Sequence, residues 1–355
     1  MNEVNILLFC KLFDGDAYYF SKPISNIDDI KKIYVLRDNN GENDEKITYV
    51  TTSKFRIKNF RIVKRFFQAL KFRNKNIKLV IGIYELPHGL LAMLIGKILN
   101  KKTVVCIIGN PAFKELRKGF RKKLSYFIYR NVNFITTTGS KSRQFMINEG
   151  FNPNKVFILP NSIDTTYFTP TNDEKKYDII TIGRISEEKQ PFILVDVINE
   201  IKKVIPNIKV GIAGKGPELE NLKKYILNLN LNENIDVLGY IPSENLVNFF
   251  NIGKIFINCS KTEGLPRTVI QSYSCGTPCI SSDVGDLSDL IKNDINGYLI
   301  TKSDDVNSYA LKAIKLLNDP NILNNFRQNG IDFVNKEYSH EASTRLWELL
   351  LNKKI

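Results

Sequence analysis

The sequence predicts an α/β protein built on parallel sheets, and three observations lead to that prediction. Short apolar runs rich in β-branched residues alternate with longer segments of helical periodicity. The alternation recurs through both halves of the chain, as expected when helices cover both faces of a parallel sheet. The length of 355 residues exceeds one ordinary core and accommodates two domains.

Thirteen apolar runs are predicted to be strands. In the first half they span residues 4–10, 33–36, 47–50, 79–84, 103–108, 134–137 and 156–159. In the second half they span residues 178–182, 209–213, 235–238, 255–258, 278–281 and 298–300. Helical periodicity fills most of the intervals, as in 191–204, 217–229 and 305–317.

A polar, proline-containing stretch, TPTNDEKK at 169–176, predicts a linker between two doubly wound domains. We therefore expect an N-terminal domain over 1–168 and a second domain over 169–335. The last segment, 336–355, is expected to be a helix that packs back on the N-terminal domain. Ligands of such sheets bind beyond the carboxyl ends of the strands, so two facing domains would form a cleft there.

The composition places the chain among globular proteins, with 43% apolar and 11% aromatic residues. No apolar run approaches the roughly 20 residues of a membrane span. The first ten residues, MNEVNILLFC, hold an acid and no basic region, which predicts no signal peptide. Five cysteines without metal-ligand spacing indicate reduced core thiols and a cytoplasmic protein.

The net charge of +14 is concentrated in the first half of the chain. Residues 1–170 hold 29 basic and 13 acidic side chains, whereas residues 171–355 hold 22 and 24. Such asymmetry indicates an anionic partner for the first half: nucleic acid, an anionic membrane surface or an anionic substrate. A generally solvated basic surface is the alternative.

The segment GRISEEK, at 183–189, follows a predicted strand and precedes a helix that starts at Pro191. Gly183 permits a tight turn, while Arg184 and Lys189 offer positive charge beside a helix N-terminus. These features suit a diphosphate, and each charged hydrogen bond is worth about 1.5–3 kcal/mol. The alternative is a surface helix start with local ion pairs to the neighbouring glutamates.

Two glycine loops follow the next predicted strands. Gly214 lies in GKGP, which lacks the G-x-G-x-x-G spacing of a dinucleotide loop and is sufficiently explained as a tight turn. The segment GYIP begins at Gly239 and leads to a helix start at Pro242. Its exposed backbone could meet the edge of a flat base.

The segment TEGLPRTVIQ, at 262–271, places a carboxylate at a strand end and an amide just over one helical turn beyond Arg267. Glu263 and Gln271 can both face one cleft, where they would bind vicinal hydroxyl groups. The helix N-terminus between them suits a phosphate, so the pattern favours a nucleotide-sugar. The alternatives are a helix-capping acid and a buried structural amide.

Taken together, these segments resemble the retaining glycosyltransferases of family GT4, whose fold is GT-B. The resemblance covers most of residues 156–350 and is carried by VFILPNSIDTTYF, GRISEEK, GKGP, GYIP and EGLPRTVIQSYSCGTPCISSDVGDLSDLI. It implies two Rossmann-like domains facing across a cleft, an N-terminal acceptor domain and a C-terminal donor domain. The N-terminal half matches weakly.

The resemblance also implies roles for individual residues. Arg184 and Lys189 would bind the donor diphosphate, and Glu263 would hold the transferred sugar. The donor site would further include Gly15, Gly183, Gly214, Ile241, Gly264, Leu265 and Gln271. The family requires no metal and no cofactor, because its cations and a helix dipole neutralise the leaving diphosphate. The nucleotide-sugar is itself a substrate.

Two departures from the family pattern concern the site. Gln271 stands where the family has a second acid, which puts some donor affinity in doubt. The family's N-terminal histidine is not at its usual strand end, and His88 is the candidate on the cleft side, with capping or packing as the alternative. Asp14 and Gly15, after the first strand, are a further acceptor-side or phosphate-side candidate, or an ordinary loop tip.

The expected activity is therefore transfer of a hexosyl unit from a UDP- or GDP-sugar to a hydroxyl of a glycan or lipid-linked acceptor. An epimerase on the same fold would need acid and base residues that the sequence does not provide. A non-catalytic GT-B protein partnering an active enzyme is the rival from another class, and Gln271 is its best argument. Sugar, base, linkage and acceptor are not determined by the sequence.

The basic excess is expected to serve a membrane surface. Residues 54–67 and 113–124 interleave cations with large apolar side chains. A helix with a basic face and aromatic side chains lies well in an anionic lipid interface. Nucleic acid is a weaker candidate because no nucleic-acid motif accompanies the charge. Alternatively, the apolar residues point into the core. The expected location is the cytoplasm, peripheral on the inner face of the plasma membrane.

Overall fold

A computed structural model describes residues 3–12, 14–52, 58–112 and 119–354. Its two compact units are Met1–Ser162 together with His340–Ile355, called unit 1, and Ile163–Ser339, called unit 2. The predicted stretches 54–67 and 113–124 lie partly outside the described residues, at 54–57 and 113–118.

The strands run in chain order through both units. They are β1 Val4–Phe9, β2 Ile30–Arg37, β3 Ile47–Thr51, β4 Ile77–Ile83, β5 Lys102–Ile107, β6 Phe134–Thr137, β7 Val156–Ile158, β8 Tyr177–Ile182, β9 Val210–Ala213, β10 Ile235–Gly239, β11 Gly253–Asn258, β12 Cys279–Ser282 and β13 Gly297–Ile300.

The α-helices connect these strands and close the chain. They are α1 Asp14–Ser25, α2 Lys58–Leu70, α3 Leu90–Leu99, α4 Gly119–Asn131, α5 Ser140–Asn148, α6 Pro191–Lys202, α7 Leu219–Asn228, α8 Leu246–Asn251, α9 Arg267–Ser274, α10 Leu287–Leu290, α11 Val306–Asn318, α12 Pro320–Glu337 and α13 His340–Lys354.

Unit 1 holds one sheet in the order β3-β2-β1-β4-β5-β6-β7, with parallel neighbours throughout the described strands. Alternate residues of β1 point to opposite faces, as strand geometry requires. Ile6 and Leu8 join a core with α1 and α13, while Leu7 and Phe9 join a core with α2 and α3. Helices therefore cover both faces of this sheet.

Unit 2 holds a second parallel sheet, in the order β10-β9-β8-β11-β12-β13. Its largest core packs strand residues such as Ile179 and Ile255 against α6, α7, α11 and α12. The strand order reverses between β8 and β11, which creates a topological switch point.

All thirteen predicted strands are present, so the predicted parallel α/β class is confirmed. The ends shift by up to three residues: β2 begins at Ile30 and β11 begins at Gly253. Both strands start earlier than predicted because polar or glycine residues occupy ladder positions, for example Lys32 beside Asn5.

The unit boundary falls six residues before the predicted one at 168/169. The backbone N–H of Ile163 donates to Tyr338 at 3.0 Å, and Ser274 donates to the carbonyl of buried Phe168 at 2.6 Å. Residues 163–168 are therefore packed within unit 2, and the polar stretch at 169–176 lies inside that unit.

The end of the chain returns to unit 1, where helix α13 packs against α1. Trp347 is buried with its ring 5.9 Å from that of Phe20, and Thr344 donates to the carbonyl of Pro23 at 2.9 Å. Helix α12 ends at Glu337, within unit 2.

All five cysteines are buried and carry free thiols, as predicted for core residues. Burial raises the pKa of Cys106 and of Cys259 to about 12. Within the described part of the chain, no helix is both long and apolar enough to cross a bilayer.

Candidate active site

The loops after β8 and β11 meet at the switch point of unit 2. The loop after β8 leads through a helical turn at Glu187–Lys189 into α6, and the loop after β11 leads into α9. Pro191 and Arg267 begin these helices, as predicted. Both loops therefore present their side chains where open α/β sheets bind ligands.

Lys189 and Glu263 form an ion pair between these two loops, joining Nζ to Oε1. The backbone N–H of Lys261 also donates to the carbonyl of Glu188 at 2.8 Å. The structure thus brings together the predicted diphosphate cation and the predicted sugar-binding acid, which lie 74 residues apart in the sequence.

Arg184 extends from the same loop with its side chain 68% exposed. Its Nη1 lies 4.0 Å from Glu188 Oε1, at the limit of an ion pair. Contacts this long between exposed groups contribute little to stability. The guanidinium can therefore turn toward an incoming anion at small energetic cost.

The turn after β12 contacts the backbone of the loop that carries Glu263. Gly285 has a φ of +56°, and a Cβ there would lie 2.3 Å from the carbonyl oxygens of Glu263 and Gly264. The backbone N–H of Asp286 donates to the carbonyl of Gly264 at 2.8 Å. Glycine is required at 285 for both conformation and space, and its contact fixes the backbone of the loop that carries Glu263.

The glycine loop at 214–216 packs against the loop after β8. Gly214 has a φ of +140°, and a Cβ there would lie 1.8 Å from the carbonyl oxygen of Gly183. A Cβ at Gly216 would lie 2.0 Å from the carbonyl oxygen of Ile185. Both glycines therefore allow backbone-to-backbone contact between the loops.

Gly183 lies in the bend that follows β8. Its φ is outside the left-handed region, and a Cβ built on it would meet nothing within 4 Å. Gly214 is the glycine that the contact between the two loops requires, because its missing side chain leaves room for the Gly183 carbonyl. Open space at Gly183 is what a closely approaching ligand would need.

A cavity of about 40 Å³ lies between these loops. Its lining includes Gly183, Arg184, Lys189 and Glu263 from the predicted set, and also Asn258 and Thr268. The last two were missed by sequence reasoning. Asn258 is a polar residue at the end of an apolar strand, and Glu263 follows the same strand. This position at a strand end could have identified Asn258 as a candidate site residue. Its Nδ2 donates to Ser281 Oγ at 2.9 Å.

The remaining donor-side residues surround the start of α9 and the end of β10. Gly264 is half-buried, Leu265 is buried, and Gln271 is only 5% exposed on the inner side of α9. Ile241 is half-buried next to Tyr240, an exposed ring with Lys215 Nζ 5.5 Å from its centroid. Tyr240 is a further aromatic candidate for the base that the sequence analysis did not single out.

His88 is buried within unit 1, at 4% exposure, in the short helical turn Glu85–Gly89 that follows β4. Arg65 Nη1 lies 2.9 Å from His88 Nε2, and Arg65 Nη2 donates to Asp38 Oδ1 at 2.6 Å. Because a guanidinium only donates, Nε2 accepts and the proton of the neutral ring sits on Nδ1. Burial and the Arg65 charge lower the pKa of His88 to about 4.

Asp14 and Gly15, the acceptor-side or phosphate-side candidates, lie in the first turn of helix α1 and not at a loop tip. A Cβ at Gly15 would lie 3.6 Å from the Glu42 carboxylate, an ordinary contact that does not demand glycine. Acidic residues are favoured in a first helical turn by the helix dipole, which explains the helix start. The side chain of Asp14 lies outside the described residues.

Comparison with known proteins decides the family. Residues 162–333 match the family described as Glycosyl transferases group 1, a span that nearly coincides with unit 2. Unit 2 is a group 1 glycosyltransferase domain. The sequence-based resemblance is thereby confirmed at the level of the group 1 family, and this assignment supports transferase activity.

Two curated relatives match this chain at low identity. A phosphatidylinositol N-acetylglucosaminyltransferase subunit of Arabidopsis thaliana is 29% identical over 186 residues, 52% of this chain and 42% of the relative. UDP-Gal:alpha-D-GlcNAc-diphosphoundecaprenol alpha-1,3-galactosyltransferase of Escherichia coli is 24% identical over 305 residues, 75% of this chain and 78% of the relative. The chain thus spans less than half the length of the Arabidopsis relative.

Solved structures confirm the fold class. Anabaena Alr3699/HepE, crystallised with UDP, superimposes with a TM-score of 0.81 and 13% identity over 99% of this chain and all of that one. The fold is α/β and GT-B, with two Rossmann-like domains on parallel sheets. The individual roles predicted for Arg184, Lys189, Glu263 and Gln271 stay predictions.

Proposed function

We propose that this protein is a retaining glycosyltransferase of the GT4 type that transfers a hexosyl unit from a UDP- or GDP-sugar to a hydroxyl group. The acceptor would be a glycan or a lipid-linked sugar of envelope polysaccharide or glycoconjugate synthesis. The observation that carries the proposal is the ion pair between Lys189 and Glu263 at the switch point of the group 1 domain.

In this proposal Lys189 exchanges partners when the donor binds. Its ammonium group pairs with Glu263 in the free protein and would turn to the diphosphate, together with the exposed guanidinium of Arg184. Glu263 would then accept hydrogen bonds from the hydroxyls of the sugar. Both changes occur in one place, so binding of phosphate and of sugar would be coupled.

Transfer breaks the bond between the anomeric carbon and the β-phosphate oxygen. The acceptor oxygen forms a bond to that carbon on the same face, and its proton passes to the leaving phosphate. Arg184, Lys189 and the N-terminus of α9 would stabilise the negative charge that develops on the diphosphate. We propose that these groups need no cofactor or metal to assist them.

The comparisons support the donor and acceptor classes. The relative from Escherichia coli is named for a UDP-linked donor and a diphosphoundecaprenol-linked acceptor, and Anabaena HepE was crystallised with UDP. A diphosphate-linked acceptor is anionic, which fits the +14 charge of this chain. A cytoplasmic location, peripheral on the inner face of the plasma membrane, is part of the same proposal.

A second candidate is a non-catalytic protein that partners an active transferase. Gln271 favours it, because this amide lacks the charge of the acid that the family places there. In that case unit 2 would bind a nucleotide but release no sugar from it.

A donor screen separates the two candidates. Purified protein is titrated with UDP-, GDP- and ADP-linked hexoses by thermal shift, and stabilising donors are then incubated with lipid-linked and free glycan acceptors. The proposal predicts release of the nucleotide. It also predicts that the anomeric configuration of the sugar, read by NMR from its anomeric proton, is the same in donor and product. Donor binding without sugar release over a range of acceptors, or an inverted anomeric centre, would contradict it.

A further inference from the structure

Helices α2, α3 and α4 form a continuous layer on one face of the unit 1 sheet. Helix α3 packs against both α2 and α4. Leu91 and Ile95 of α3 join the core of Leu7 and Phe9, and Ile128 of α4 lies in the neighbouring core with Val105. The inner sides of these helices therefore supply ordinary buried packing.

The outer side of the same layer is also apolar. On α2, Phe60, Val63 and Phe67 are exposed, the two rings at 60% and 59%. Their i, i+3, i+7 spacing gives one stripe, on a different side of the helix from the core-facing stripe of Ile62, Phe66 and Ala69. The full exposed apolar set of the layer is Phe60, Val63, Phe67, Leu94, Ile98, Phe120 and Phe127.

The charged side chains of these three helices are all basic, and Arg61, Arg65 and Lys122 pair with acids of neighbouring elements. The sequences of α2, α3 and α4 contain nine basic residues and no acidic residue. Arg121, Lys123 and Arg130 of α4 are exposed around Phe120, which is itself 79% exposed, and Phe127. Helices α1 and α13, on the opposite face of the sheet, contain acidic residues, for example Asp16 and Glu341.

Large exposed apolar patches surrounded by charge mark interaction sites. A bilayer of anionic lipids matches both properties at once, because rings and aliphatic side chains enter the headgroup boundary while cations meet the lipid phosphates. Nucleic acid would bind the cations through its phosphates and stack its bases on the rings, but it would make no favourable contact with the aliphatic side chains of Val63, Leu94 and Ile98. The aliphatic members of the stripe therefore favour lipid over nucleic acid.

We propose that the outer face of α2, α3 and α4 docks on an anionic lipid bilayer. The inference deepens the proposed function, because a lipid-linked acceptor would give the docking its purpose. The binding to lipid itself does not depend on that function. It sharpens the sequence-based hypothesis: Phe60 and Phe67 face outward, whereas Phe66 and Arg65 of the same predicted stretch face inward. The proposed lipid-binding surface therefore consists of the outer sides of three helices, and not of the two basic segments taken from the sequence.

The test uses the full-length protein and vesicles that contain no glycosyl acceptor and no nucleotide-sugar. Co-sedimentation is measured with vesicles of phosphatidylcholine alone and of phosphatidylcholine with about 30% phosphatidylglycerol, at low and high salt. We expect binding to the anionic vesicles at low salt that weakens as salt screens the cations. Because no transfer reaction is involved, failure of the proposed enzymatic function would leave this result unchanged.

Two pairs of variants test the face itself. The double variant Phe60→Ser, Phe67→Ser is expected to weaken vesicle binding at least about 10-fold. The double variant Arg121→Gln, Lys123→Gln should weaken it about 5-fold for each cation at low salt. Matched controls in unit 2 are Leu227→Ser with Leu311→Ser, and Lys224→Gln with Lys302→Gln, all exposed side chains.

Each outcome decides the proposal. Loss of binding in the unit 1 variants but not in the controls, with unchanged thermal melting, supports it. No binding of folded wild-type protein to anionic vesicles at low salt would overturn it. Equal losses in the control variants, or tight binding to an RNA oligonucleotide with none to vesicles, would overturn it as well.

Discussion

Unit 1 and unit 2 treat polar residues at their strand ends in opposite ways. In unit 2, Arg184 is exposed and Lys189 holds Glu263 in an ion pair that a ligand can replace. In unit 1, Arg65 and His88 are buried together, and Arg65 donates both to His88 and to Asp38. Polar side chains near the strand ends are therefore accessible to a ligand in unit 2 and buried in a structural network in unit 1.

The comparison also separates two uses of positive charge. Residues 171–355 carry no excess of cations, but Arg184 and Lys189 of the group 1 domain both line a small cavity. Unit 1 carries the excess, and its exposed cations include Arg121, Lys123 and Arg130 of α4, whereas Arg65 is buried. Net charge alone would have assigned both functions to the same place.

The structural role of the buried network in unit 1 is tested by removing the Arg65 side chain. The variant Arg65→Ala leaves Asp38 and His88 without their shared partner, and breaking a buried ion pair from one side costs about 3–5 kcal/mol. We expect a loss of about 3 kcal/mol, since Asp38 is partly exposed. Denaturant unfolding measures it. The control is Arg61→Ala, 3.7 Å from the same carboxylate, which should cost less than about 1 kcal/mol.

The reciprocal test lies in unit 2, where we expect lost activity with an intact fold. Arg184→Ala and Lys189→Ala should each lower kcat/KM about 100-fold, because each removes a group that stabilises charge in the transition state. Melting temperature should change little for Arg184→Ala, whose side chain is exposed. Lys223→Ala, an exposed lysine in an i, i+3 pair, is the control. Activity close to wild type in both variants would refute the diphosphate assignment.

The buried histidine predicts a pH dependence of stability. The pKa of His88 is lowered to about 4 from the ordinary value of 6.5, so the unfolded chain binds the extra proton first as pH falls. The stabilisation is complete above about pH 6.5 and is lost as pH falls toward about 4. From about pH 7 to pH 5 the loss should be about 2 kcal/mol.

The variant His88→Gln should remove this slope, because glutamine does not titrate. Unfolding free energies at about pH 7, 6 and 5 for both proteins provide the measurement. An identical slope in wild type and variant would show that other groups cause the pH dependence.

The smallest expected effect concerns position 271. If Gln271 faces the ribose of the donor, Gln271→Glu should tighten donor binding by a few-fold, since an ionised acceptor makes a stronger hydrogen bond. Its low exposure makes the opposite outcome informative, because a carboxylate without a partner would destabilise α9. Calorimetric titration with UDP or GDP, together with a melting curve, distinguishes the two results.

The sequence predicted the architecture well, because strand formation depends on local apolar runs. Every predicted strand was found, and the starts of α6 at Pro191 and α9 at Arg267 were predicted from proline and strand ends. Contacts between backbone segments that are distant in sequence could not be predicted in this way. One example is Gly214, where glycine is required by the carbonyl of Gly183 in the loop after the preceding strand.

Side-chain partners and exposure were beyond the sequence for the same reason. The pairing of Lys189 with Glu263 depends on the adjacency of β8 and β11, which the order of strands along the chain does not state. Likewise, Phe60, Phe66 and Phe67 are equally apolar, and only the packing of α2 on the sheet decides which of them faces outward.

The most direct test of the account is the variant Glu263→Gln, assayed for sugar transfer and for nucleotide affinity in parallel. Glutamine keeps the shape but removes the charge that pairs with Lys189 and that would bind the sugar hydroxyls. We predict a loss of transfer of about 100-fold or more, with the Kd for UDP or GDP within about 3-fold of wild type. Equal losses of transfer and nucleotide binding, or transfer close to wild type, would contradict the assignment of Glu263 to the transferred sugar.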